Sequence, residues 1–80
     1  MSSPKLVLIH WYDSAFGPAG WESLDNMDPL SLVLCSTAGF LIDDAPTYKT
    51  LAMTVSEADS LLANRVIIPT ACIKSLKRLR

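Results

Sequence analysis

The run LSLVLCSTAGFLIDD, residues 30–44, is the longest strand signal in the chain, and one glycine, Gly39, sits inside it. Leu30, Leu32 and Leu34 alternate with Ser31, Val33 and Cys35, the period-two spacing of a strand. An isolated glycine within such a run marks a bulge or a sharp bend. A long strand that bends at Gly39 can serve two sheets, so the run points to a curled, all-β architecture.

The other apolar runs agree. KLVLIHWY, residues 5–12, is rich in β-branched and aromatic residues and reads as a first strand. It sets Leu6, Leu8, His10 and Tyr12 on one face and Val7, Ile9 and Trp11 on the other. Both faces are apolar, so cover is expected on both sides. TYKTLAMTV (47–55) reads as a third strand and RVIIP (65–69) as a fourth, stopped by its proline. TAC then fits one tight turn. IKSLKRL (73–79) alternates as a fifth strand, with a helix as the alternative. SEADSLLAN (56–64) fits a short helix, because Ser56 and Asp59 have capping-box spacing, or equally a variable loop. DSAFGPAG and SLDNMDP, before residue 30, are loop in character. Together these features predict one domain over residues 1–80, a small five-stranded SH3-like or Sm-like barrel. Its second strand is bent, and a tight turn precedes its last strand.

Eighty residues make a marginal domain, which buries only about 60% of its unfolded surface. Half of the residues are nevertheless apolar. The core is unusually dense, or apolar surface is buried between copies or against a partner; the second is expected. The start, MSSPKLVLIHWYD, is not read as a signal peptide, since its apolar run is short and no small-residue cleavage site follows. No stretch approaches the ~18 apolar residues of a membrane span. A cytoplasmic protein with reduced cysteines is therefore expected. Cys35, inside an apolar run, is expected in the core.

The charges are segregated although the net charge is only −1. Asp13 to Asp59 holds eight acidic residues and one base, Lys49. After Ser60 come Arg65, Lys74, Lys77, Arg78 and Arg80 with no acid. Lys74, Lys77, Arg78 and Arg80 form a candidate basic strip, either for a phosphate-bearing partner or for an acidic face on a second copy. Near-neutrality argues against tight non-specific binding to duplex nucleic acid.

HWYDS (10–14), GW (20–21), CSTAGF (35–40) and IPTACI (68–73) occur in an order that resembles a family of small proteins of tailed bacteriophages and prophages. That family carries W-x-D-S, G-W, C/S-x-S-V-G-W/F and I-P-x-x-x-I segments. In STAGF this chain departs from the pattern, since valine and tryptophan are more typical there. The resemblance covers nearly the whole chain. It implies a phage origin, a small β-barrel and action in the bacterial cytoplasm; it implies no reaction. IPTACI is also similar to the segment before the last strand of SH3 domains, which supports the fold alone.

No residue set has the spacing of a catalytic or metal centre. His10 is the only histidine, and Asp13 and Ser14, on the same strand and its turn, point in different directions from it. A strand histidine bonded to backbone is the expectation. GPAG lacks the Lys-Ser/Thr of a phosphate loop, so no nucleotide cofactor is expected. Asp13 and Ser14 are expected to fix the turn by accepting backbone N–H bonds, with Asp13 also able to accept from a base or amine.

Trp11 and Trp21 flank the glycine loop. One is expected in the core and the other, Trp21, in contact with a ligand or partner. Ser36, Thr37 and Gly39 would offer backbone amides near Trp21 to a phosphate. The expected function is non-enzymatic: a homo-oligomeric phage accessory protein that sequesters a small nucleotide immune signal between subunits. The alternatives are an inhibitor of a host protein, acting through a strand edge or aromatic patch, and an Sm-like RNA binder.

Overall fold

β1 (Lys5–Asp13) is the strand around which the fold is organised, because both of its edges are paired. It runs antiparallel to β2 (Val33–Asp44) on one side and to β5 (Ile73–Arg78) on the other. β3 (Tyr48–Ser56) pairs with β2, and β4 (Leu61–Pro69) pairs with β3. The computed structural model describes residues 3–80, as one antiparallel sheet in the order β4-β3-β2-β1-β5. Among the described residues the only helical element is a 3-10 turn, Thr70–Cys72, and no helix is long and apolar enough to cross a membrane.

Alternation along β1 sorts its side chains. Val7 and Ile9 are buried, and Trp11 packs beside them. Leu51 from β3 and Ile68 from β4 complete the cluster, with Leu41, Val66 and Ile73 packed against it. Strands from opposite ends of the sheet therefore meet in one core, which requires the sheet to curl. The connection between β4 and β5 gives the same answer. Three residues separate Pro69 from Ile73, and four virtual bonds span at most about 14 Å. The edges of a flat five-stranded sheet lie about 19 Å apart. The curl is strong, yet β4 and β5 do not pair with each other, so the hydrogen-bond ladder is open.

Several local expectations change. The strand expected from residue 30 starts at Val33, because β1 offers no partner beyond the Asp13–Val33 pair. The helix or loop expected over 56–64 is a hairpin turn at residues 57–60, followed at once by β4. Ser56 Oγ donates to Asp59 Oδ2 at 3.0 Å, so the capping-like spacing closes a turn instead of opening a helix. Ser60 then takes φ 56, in the left-handed region, and Leu61 re-enters the sheet opposite Ser56. The helical alternative for the tail gives way to β5. The irregularity in β2 lies between Leu41 and Asp43, not at Gly39. Gly39 serves close approach instead: a Cβ there would stand 2.9 Å from the Ala52 carbonyl oxygen.

Residues 14–32 form a long arm that leaves the sheet where β1 ends and β2 begins. Its one backbone hydrogen bond of its own runs from Asn26 N–H to the Ser23 carbonyl, at 3.3 Å. An 80-residue compact domain has a radius of gyration of about 12 Å. This chain measures 16.8 Å, with extents of 57 × 22 × 19 Å.

Candidate functional site

The face of β1 that turns away from the core carries a polar rung on an apolar surface. His10 pairs with Ser36 on β2 and with Ser75 on β5, so the three side chains share one face of the sheet. His10 Nδ1 lies 2.8 Å from Ser36 Oγ. On either side of the rung stand the pairs Leu8–Ala38 and Tyr12–Leu34. Lys77 lies opposite Leu8, next to the rung. Tyr12, Leu34, Ala38, Ser75 and Lys77 are exposed, so among the described residues this part of the face is uncovered.

A β-bulge adjoins this rung. Ser75 pairs with His10 and Ile73 with Trp11, leaving Lys74 as the extra residue. Bulges re-aim side chains and occur often beside binding sites. Here the extra residue places a second exposed cation within one residue of Ser75.

With Nδ1 engaged by Ser36, Nε2 of His10 is free to meet a ligand, as donor or acceptor according to tautomer. A serine next to a histidine is also the first half of a nucleophile–base pair. Such a pair works when a third group orients the base. The partner opposite His10 on its other side is Ser75, a hydroxyl and not a carboxylate. The rung is a row of hydrogen-bonding groups, one imidazole between two hydroxyls.

The residues singled out from sequence do not converge on one place. Trp11 is half-buried on the core face, and its indole N–H donates to Thr37 Oγ1 at 2.9 Å. Trp21, on the arm, is 104% exposed and touches none of Ser36, Thr37 or Gly39. Gly39 is buried under β3, so its amide is closed to any ligand. Asp13 Oδ1 accepts the Ser14 N–H at 2.8 Å, one residue on, and ends the strand there. Both of these side chains are exposed. Of the proposed set, only Ser36 belongs to the rung.

The basic strip is divided. Lys74, Lys77, Arg78 and Arg80 are all exposed. Lys77 shares the rung face, whereas Arg78 lies opposite Val7, on the core side. Cys35 and Cys72 are free thiols, both half-buried, so Cys35 lies at the margin of the core and not within it. Among the described residues no group of three or more His, Cys, Asp or Glu gathers as a metal site. A groove of about 440 Å³ lies elsewhere, lined chiefly by Pro4, Leu41, Ile42, Val55, Leu61 and Leu62, and holds none of these residues.

Sequence reasoning missed Ser75 and the pairing of His10 with Ser36. Alternation placed His10 on the face of Leu6, Leu8 and Tyr12, but the partner residues depend on strand register. The bulge at Lys74 shifts that register by one.

Comparison with protein-family models, with curated proteins and with solved structures finds no match.

Proposed function

We propose that this chain is a non-enzymatic binding protein of phage origin, a small SH3-like or Sm-like barrel that acts in the bacterial cytoplasm as a homo-oligomer. Its ligand is a small nucleotide, held at the open face of β1. The observation that carries this reading is the rung Ser36–His10–Ser75, set between apolar pairs and beside Lys77. Hydroxyls and an imidazole nitrogen suit the hydrogen-bonding edge of a base. Tyr12 offers a ring for stacking, and Lys77 a charge for phosphate.

Self-association is supported by the distribution of apolar residues. Among the described residues, only Val7, Ile9, Leu51, Ala52 and Ile68 are buried hydrophobics. Sixteen large hydrophobics are exposed, Trp21, Phe16, Leu24 and Met53 the most. A monomeric soluble domain rarely leaves so much apolar surface in water. The strand order and the three-residue link from β4 to β5 support the barrel reading.

Native mass spectrometry of the protein, purified gently from phage-challenged bacterial cells, tests the reading. An oligomer that carries a small molecule with nucleotide absorbance supports it, and His10→Ala then loses that molecule. A protein that never retains a nucleotide, and shows no thermal shift with a nucleotide panel, overturns the ligand assignment.

A second reading is favoured by the open edges. β4 is unpaired on its outer side and exposes Ile67 and Leu61, which suits strand addition by a host polypeptide. A defined host protein bound in place of a nucleotide, and lost when Ile67 is changed to Lys, selects this reading. RNA recognition draws less support, because the basic residues of β5 are split between its two faces.

A further inference from the structure

The arm of residues 14–32 is loop-like in composition, yet it carries six large apolar side chains, all of them exposed. Phe16 is 93% exposed, Trp21 104% and Leu24 84%, and Met27, Leu30 and Leu32 are exposed as well. A structureless connection of this length is uncommon within a compact domain and is usually a functional or a linker segment. The arm is also purely acidic, with Glu22, Asp25 and Asp28 and no base between Asp13 and Lys49.

A surface of complementary charge lies on β5. β5 carries Lys74, Lys77 and Arg78 and no acid follows Asp59. β5 is an edge strand, and it borders the uncovered apolar face of β1. Trp21 of the same chain is 104% exposed, so it does not pack on this face.

We propose that the arm is exchanged between two copies of this chain. In the dimer, the arm of one copy crosses the β5 edge of the other and sets Trp21 over the Ser36–His10–Ser75 rung. As the arm passes over the β5 edge, Glu22 and Asp25 meet Lys74 and, from the other face of that edge strand, the exposed Arg78, and Lys77 is left to the ligand. Such an exchange is isologous, since each copy gives one arm and accepts one. It covers the apolar surface of both arm and sheet. It also makes the nucleotide site complete only in the assembly, with Trp21 as the stacking lid. The inference rests on the homo-oligomer and rung assignments above.

Charge exchange tests it. One full-length variant carries Glu22→Lys and Asp25→Lys; the other carries Lys74→Glu and Arg78→Glu. Sedimentation velocity is run on the wild type, on each variant and on their equimolar mixture, with circular dichroism to verify the β fold. The wild type is expected to be a dimer or a multiple of one. Each variant alone pairs like charges, and its dissociation constant is expected to rise by about 100-fold. The mixture is expected to recover association, because both arm contacts in the mixed dimer are then complementary.

A wild type that stays monomeric across the whole concentration series would remove the homo-oligomer reading itself, and the exchange with it. A wild-type oligomer whose variants associate normally alone overturns the arm exchange and leaves the oligomer reading standing. So does a mixture that fails to recover, with both variants folded. For the lid, Trp21→Cys and Ser75→Cys are placed on separate chains of different mass, each also carrying Cys35→Ser and Cys72→Ser. A mixed disulfide dimer on mild oxidation is expected, and its absence in an associated mixture overturns the position of Trp21.

Discussion

Trp11 donates its indole N–H to Thr37 Oγ1 at 2.9 Å, although the ladder pairs Trp11 with Cys35 and Thr37 with Ile9. The contact is diagonal. The indole leans along the strand towards Ile9, covers the end of the core and satisfies its only polar atom on the next strand. Such diagonal pairs are within reach of long aromatic side chains. On the opposite face, one residue away, His10 and Ser36 make a direct pair instead. The two contacts join the same strands from both sides.

Trp11→Phe keeps most of the ring and removes the N–H. The cost is expected to be about 1 kcal/mol, the net worth of one hydrogen bond. Thr37→Val is expected to cost a similar amount. The double variant should cost little more than either single change, because each removes the same bond. Urea denaturation at one fixed protein concentration measures all three.

Gly39→Ala places a methyl group against β3, 2.9 Å from a backbone oxygen that belongs to the β3 strand and 3.3 Å from Leu51 Cβ. Neither neighbour is the end of a flexible side chain. The strands must part, at an expected cost of about 1–3 kcal/mol. The unfolding midpoint should fall with no change in urea dependence of the baseline fold, read by circular dichroism.

Tyr48 donates its hydroxyl to Asp43 Oδ2 at 3.1 Å. That hydrogen bond, together with the negative charge of Asp43, holds the phenol above its ordinary range. A folded-state pKa above the unfolded value means that the folded chain holds the proton more tightly. The contribution is fully present below the unfolded value of about 10 and is lost as pH rises through the folded one. Thermal melts from neutral to strongly alkaline pH should therefore show a steeper loss for the wild type than for Tyr48→Phe. Equal slopes would remove this pair as a source of alkaline sensitivity.

A chain that shares its arm with a second copy has a melting temperature that depends on its concentration. The wild type should melt higher as concentration rises. Trp21→Ser removes an exposed ring, so the stability of the isolated fold should stay within about 0.5 kcal/mol. At high dilution the two chains should melt together, and at high concentration the wild type should melt above the variant. Differential scanning calorimetry across a concentration series reads both.

What the sequence determined by itself was the strand inventory. Period-two runs, Pro69 and the short TAC segment placed β1, β3, β5 and the turn before β5, because each depends on neighbours a few residues away. That one tryptophan lies in a strand run and the other beside glycine was legible for the same reason, whereas the burial of each was decided by the fold. Tertiary structure decided everything that depends on register. Val33 and not Leu30 begins β2 because β1 ends opposite it, and Leu61 begins β4 because Ser56 offers it a partner. Gly39 is small to admit β3 and not to bend its own strand. The rung brings Ser36 and Ser75, 26 and 65 positions from His10 in the chain, beside it through hydrogen-bond ladders and one bulge. No local pattern encodes that alignment: a one-residue slip would carry each side chain to the other face, and only the packed core prevents it.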